Sequence, residues 1–142
     1  MDETPRIVEQ LLERCRRDHL AWINGDPSGY SFSDGATLMS PFGAGGRTRP
    51  MTAEQQRVFG DLWQSGTGDV ELIDGGVSGD VAWLVMIERG SVVFRDRTDA
   101  ERWDLRVTEL FRRDGDAWER FHRHADPLVD VHSRDEVRRL LG

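Results

Sequence analysis

Residues 101–128, ERWDLRVTELFRRDGDAWERFHRHADPL, alternate apolar and polar side chains on either side of Asp114-Gly115-Asp116. That is the pattern of two antiparallel strands joined by a tight turn. The stretch also holds the densest group of side chains able to do chemistry: Asp104, Arg106, Thr108, His122, His124 and Asp126. Register decides which of them meet, because a slip of one residue sends every side chain to the other face. A two-residue Asp114-Gly115 loop sets Arg106 opposite Arg123 and Glu109 opposite Arg120. A three-residue loop, Asp114-Gly115-Asp116, sets Arg106 opposite His124, Thr108 opposite His122 and Asp104 opposite Asp126. Both lengths are common in hairpins. The second is the expectation here, since it avoids opposing two arginines and gathers all six polar residues on one face.

Working outward, the chain before the hairpin is strand-like from Gly66. Val70–Val77 is expected to pair with Val81–Glu88 across Ser78-Gly79-Asp80. The run from Val81 to Ile87 is apolar on both faces, so this strand should be covered on both sides. Helices can cover one side, and a second copy of the chain is the expected cover for the other. Gly90 is expected to mark a bulge in one long strand.

Further upstream, Thr4-Pro5 reads as a helix start. Ile7, Val8, Leu11, Leu12, Cys15, His19, Trp22 and Ile23 then follow at helical spacing, and Asn24-Gly25 is a stop. His19 lies within this apolar stripe, as a core or pocket-rim residue. Ala36–Gly43 reads as a short strand that breaks near Pro41, followed by the glycine-rich Gly43–Gly46. Arg47-Thr48 stands where a phosphate loop needs Lys-Ser/Thr, so that stretch reads as a loop at a pocket mouth. Thr52–Gln55 is a capping box for a second helix carrying Val58, Phe59, Leu62 and Trp63, with Gly66 as its stop. A further box at Ser133–Glu136 opens a short helix through Leu141.

The chain of 142 residues reads as a single α+β domain, 1–142, with helices packed on one side of a sheet. A net charge of -7 argues against nucleic acid. No apolar run approaches the roughly 20 residues that span a bilayer, and no secretory leader pattern opens the chain. The single cysteine, Cys15, allows no internal disulfide and fits a cytoplasmic setting. All 19 Lys+Arg residues are arginine, which excludes Schiff-base and lysine general-base chemistry. A metal reading of His122-x-His124-x-Asp126 fails on reach. Four residues of strand span roughly 13 Å, against metal–ligand bonds of about 2 Å. The expectation is therefore a protein without metal or cofactor.

Three stretches, GDPSGYSFSDGATLMSPFG, WDLRVTELFRRDGDAW and FHRHADPL, resemble the SnoaL-like branch of the nuclear-transport-factor-2-like (NTF2-like) superfamily. The resemblance implies a cone-shaped α+β barrel, a curved antiparallel sheet wrapped around a long N-terminal helix and enclosing an apolar-walled pocket. It also implies dimers formed through the outer sheet face. The superfamily includes polyketide cyclases, steroid isomerases, limonene-epoxide hydrolases and dehydratases. It also includes the non-catalytic association domain of calmodulin-dependent kinase, which carries a similar His-x-His strand. The epoxide hydrolases use an Asp-Arg-Asp set whose types match Asp104, Arg106 and Asp126, with the order on the strand reversed. The isomerases use a pocket tyrosine, and Tyr30, the single tyrosine, lies outside the sheet.

Two functional expectations follow. In one, Asp104, Arg106, His124 and Asp126 run acid–base chemistry on a mostly apolar small molecule, with Trp22, Ser40, Phe42, Thr108 and His122 lining its pocket. This is the cyclase, isomerase or hydrolase reading. In the other, the chain is a non-catalytic ligand-binding or homo-oligomeric association module. A closed, apolar-walled cavity lined by Arg106 and His124 favours the first; a filled or solvent-flattened face favours the second.

Overall fold

A computed structural model describes residues 2–26, 28, 30–39 and 62–142. Helix α1 (Thr4–Trp22) buries the expected stripe of Ile7, Val8, Leu11, Leu12, Cys15 and His19, together with Asp18. Gly25 stops the helix in the left-handed conformation. Beyond it, the Asn24 side chain ties the helix end to the backbone of Gly66.

The strands are β1 (Thr37–Met39), β2 (Trp63–Ser78), β3 (Val81–Phe94), β4 (Glu101–Arg102), β5 (Leu105–Asp114) and β6 (Ala117–Pro127). They form one six-stranded sheet in the order β1-β6-β5-β3-β2, with β4 on the end of β3. The sheet is curved but unclosed, and mixed rather than wholly antiparallel, because β1 runs parallel to β6. Helix α2 (Arg134–Leu141) closes the described chain. The Ser133 hydroxyl accepts from the Glu136 N–H at 3.2 Å, half of the expected capping box.

Helix α1 packs on one face of the sheet, against Val70, Ala82, Leu84, Met86, Leu105, Val107, Phe111 and Ala125. Alternation along β3 and β5 supplies this face, with every second residue buried. The intervening residues Trp83, Val85 and Ile87 look the other way and stay partly exposed in a single chain.

Two local expectations outside the hairpin are corrected. The helix proposed to run through Leu62 and Trp63 to Gly66 does not extend that far: β2 begins at Trp63 and carries Gly66 within it, while the Thr52–Gln55 box lies outside the described residues. Gly90 is not a bulge, since β3 keeps register through it against β2, and the same register on its other side from β5 to β4. A Cβ at Gly90 would stand 3.1 Å from the Trp103 carbonyl, so the glycine serves a close backbone approach. The bulge falls instead at Ile73, between the pairs Leu72–Met86 and Asp74–Val85.

The hairpin register differs from both alternatives. Asp114 pairs with Ala117, so the loop is Gly115-Asp116, with Gly115 at φ 61°. Phe121 is then extra: Phe111 faces Arg120, whereas Leu110 faces His122. Beyond that bulge Arg106 faces Asp126 and Thr108 faces His124. The total offset from the expected register is two residues, an even number, so the face assignments of Arg106, Thr108, His122, His124 and Asp126 survive.

Candidate functional site

The two faces of the sheet each gather charged residues. Under α1 lies a chain of ion pairs that links the helix to three strands. Asp18 accepts from Arg120 at 3.1 Å, and Arg120 donates through Nε to Glu109. Glu109 accepts from Arg123 at 2.7 Å, and Arg123 holds both oxygens of Glu88 at 2.8 and 2.9 Å. Glu88 stands 3.6 Å from His19 Nδ1, while His19 Nε2–H donates to the Arg89 carbonyl at 2.9 Å. The Tyr30 ring sits 5.0 Å from both guanidinium groups. The Phe121 bulge makes this possible, because it turns Arg120 and Arg123, three residues apart, onto the same face.

Burial raises the Glu88 carboxyl, but Arg123, His19 and Arg120 together outweigh it and hold the group below the ordinary glutamate range. Burial lowers Arg123, and Glu88 with its other acidic neighbours more than reverses that. Burial also pushes the Cys15 thiol well up, so it is a poor nucleophile. Each of the three carboxylates already accepts from an arginine. The arrangement clamps the helix to the sheet and leaves no carboxylate free to act as a base.

Sequence reading passed over Asp18, Glu88, Glu109, Arg120 and Arg123 as site residues. The signal was present. Glu88 continues the buried series Ala82, Leu84, Met86, and Glu109 interrupts the series Leu105, Val107, Phe111. A charge in an apolar phase marks a buried ion pair.

Four of the expected residues meet on the open face. Arg106, Thr108, His124 and Asp126 line a shallow depression of about 380 Å³ with Ile73, Val85 and Ile87. Arg106 Nη2 lies 3.4 Å from Asp126 Oδ2, and His124 Nε2 lies 3.2 Å from Asp126 Oδ1. His122 is on the same face, its Nδ1 2.6 Å from the Thr37 hydroxyl. Burial lowers the His122 pKa, and neighbouring His124 lowers it further. Ile73 reaches this face by alternation, with Leu72 turned to the core, and is 56% exposed. Trp83 lies flat across Gly76 on the same side, where a Cβ would come within 2.4 Å of the indole.

The remaining expected residues are elsewhere. Asp104 precedes β5, and its carboxylate binds Arg102 at 2.8 Å and the Gly90 N–H at 3.2 Å. With Arg106 occupying the place opposite Asp126, the pairing of Asp104 with Asp126 is not formed. Trp22 makes an edge contact with Tyr30 at 5.4 Å and packs beside Ile23, Trp63 and Val92, away from the Arg106 group. Ser40 and Phe42 lie outside the described residues. Among the described residues no three His, Cys, Asp or Glu side chains are grouped to hold a metal ion.

No family model matches the sequence, and no curated protein matches it. Solved structures do match. An NTF2-like superfamily protein from Salmonella enterica superposes with a TM-score of 0.67 at 15% identity, covering 89% of this chain and 94% of that one. A candidate dehydratase of the NTF2-like family from Streptomyces avermitilis gives 0.67 at 17% identity, covering 89% and 99%. The association domain of CaMKII from C. elegans gives 0.59 at 15% identity, covering 85% and 96%. The chain therefore has the NTF2-like α+β fold, as the three sequence stretches implied. A fold shared by a candidate dehydratase and an association domain does not choose between catalysis and assembly. Among the described residues no helix is long and apolar enough to cross a membrane.

Proposed function

We propose that this chain is a homo-oligomeric association module that pairs two copies through the open face of its sheet. The observation that carries the reading is the exposed apolar group around Ile73. Alternation in β2 sets Ile73 outward while Leu72 packs against the core, and Ile73 is 56% exposed beside Val85 and Ile87. Apolar side chains that stand together on an exposed face mark a place of interaction. Trp83, Val85, Ile87 and Ile73 make an apolar centre, with Arg106, His124 and Asp126 beside it. An apolar centre with a polar rim is the anatomy of a protein interface. Arg106 and Asp126 are also self-complementary, so a twofold arrangement can pair each with its counterpart in the second copy.

The acid–base reading loses support on two counts. It needs Asp104 beside Asp126, and Asp104 is engaged with Arg102 and Gly90. Its remaining residues surround an open depression, with Arg106 62% and Asp126 46% exposed, rather than a closed pocket. In this proposal Arg106, Thr108, His124 and Asp126 are interface residues.

Light scattering tests the reading. Wild type is expected at twice the 16.2 kDa of one chain, and Ile73→Asp at the mass of one chain with an unchanged circular dichroism spectrum. A wild-type protein that stays monomeric at high micromolar concentration overturns it.

A further inference from the structure

We infer that the proposed dimer comes apart on acidification, through the adjacent imidazoles His122 and His124. The inference rests on the association reading and adds a regulation to it. The two histidines are two residues apart on β6, so they project from the same face, the one that carries the Ile73 depression. At neutral pH the charges beside them balance, because Arg106 and Asp126 form a pair.

The groups facing the imidazoles come from three strands. On β6 itself Asp126 lies against His124. On β5 Thr108 stands opposite His124, Leu110 opposite His122, and Arg106 one pair further on. On β1 the Thr37 hydroxyl binds His122, and Met39 is level with His124. Among the described residues, Asp126 is therefore the one carboxylate in this group, and Arg106 already shares it.

Asp126 can meet one added positive charge in this group. A second, beside the Thr37 hydroxyl, has no anion to meet it. Protonating both turns a balanced patch into a cationic one on each copy, and a twofold axis sets the two patches against each other. Like charges across an interface oppose association, and histidine is the side chain that changes charge in this pH range.

The test is sedimentation velocity of the full chain at about pH 8 and about pH 5.5 at low ionic strength, where charge effects are least screened. The wild-type dimer is expected to weaken by about tenfold or more in Kd on acidification, equivalent to one protonation-linked step. His122→Asn with His124→Gln is expected to remove that dependence. His124→Gln alone, at a half-exposed position, is expected to reduce it without touching the Thr37 bond. An equal wild-type Kd at both values overturns the inference while leaving the association reading intact. So does an undiminished pH response in the double variant. A wild-type monomer at pH 8 removes the association reading, and this inference with it.

Discussion

Arg120 and Arg106 each pair with a carboxylate on the sheet, yet Arg120 is fully buried and Arg106 is 62% exposed. On the helix side, Asp18, Glu88 and Glu109 each accept from Arg120 or Arg123, with Arg14 3.9 Å from Asp18 as the third cation, and no carboxylate is left free. On the open side, Arg106, His124 and Asp126 are held loosely around apolar neighbours that a single chain leaves uncovered. Similar residue types serve two ends. Complete pairing with burial makes a clamp; loose pairing beside exposed apolar surface makes a place to dock.

The sharpest way to break that comparison is to truncate one arginine from each side. Arg120→Ala takes from buried Asp18 its hydrogen-bonded arginine and leaves buried Glu109 with Arg123 alone, and is expected to cost about 3–5 kcal/mol. Arg106→Ala removes an exposed pair and is expected to cost no more than about 1 kcal/mol. Urea denaturation of both variants checks the contrast; equal costs would mean that burial does not separate the two sides.

Acid titration of stability sharpens it. The Glu88 carboxyl is held below its ordinary value, so the unfolded chain binds more protons there than the folded chain. Its contribution is present above the ordinary glutamate value of 4.5 and is lost as pH falls through the lower folded value. Glu88→Gln is expected to be less stable than wild type near neutrality and to lose less on acidification, as read by urea midpoints across that range. His122 acts at higher pH. Its folded pKa also lies below the ordinary 6.5, so stability falls as pH drops through that value, and His122→Asn should flatten the fall. The smallest effect is expected at Ile73→Asp, within about 0.5 kcal/mol for the isolated chain because the site is exposed.

Much of the fold could be read before any coordinates. The stripe on α1, the Gly25 stop, the β2–β3 turn and the cap at Ser133 each rest on local chemistry: spacing, a left-handed glycine, a side-chain acceptor. The bulges at Phe121 and Ile73 rest on nothing local. Phe121 is one residue of an alternating strand, and only the competition between turn geometry and the burial of Phe111, Arg120 and Arg123 makes it the extra one. The face of Arg106, His124 and Asp126 was legible because alternation tolerates an even slip in register. Their exact partners were not, so Asp104 was placed beside Asp126 and is found with Arg102. Which face the helix covers was equally out of reach from the hairpin alone. It was encoded further off, where Glu88 shares a phase with Ala82, Leu84 and Met86.

Solvent access to the isoleucine methyl groups tests the account most directly. Ile7 and Ile23 are buried beneath or beside the helix at 5% and 0% exposure, whereas Ile73 is 56% exposed in the single chain. Methyl NMR with a soluble paramagnetic agent at neutral pH reads each of them. The account predicts that Ile73 is shielded like Ile7 at high protein concentration and becomes exposed on dilution. An Ile73 methyl that broadens fully at every concentration, while Ile7 and Ile23 stay sharp, would contradict it.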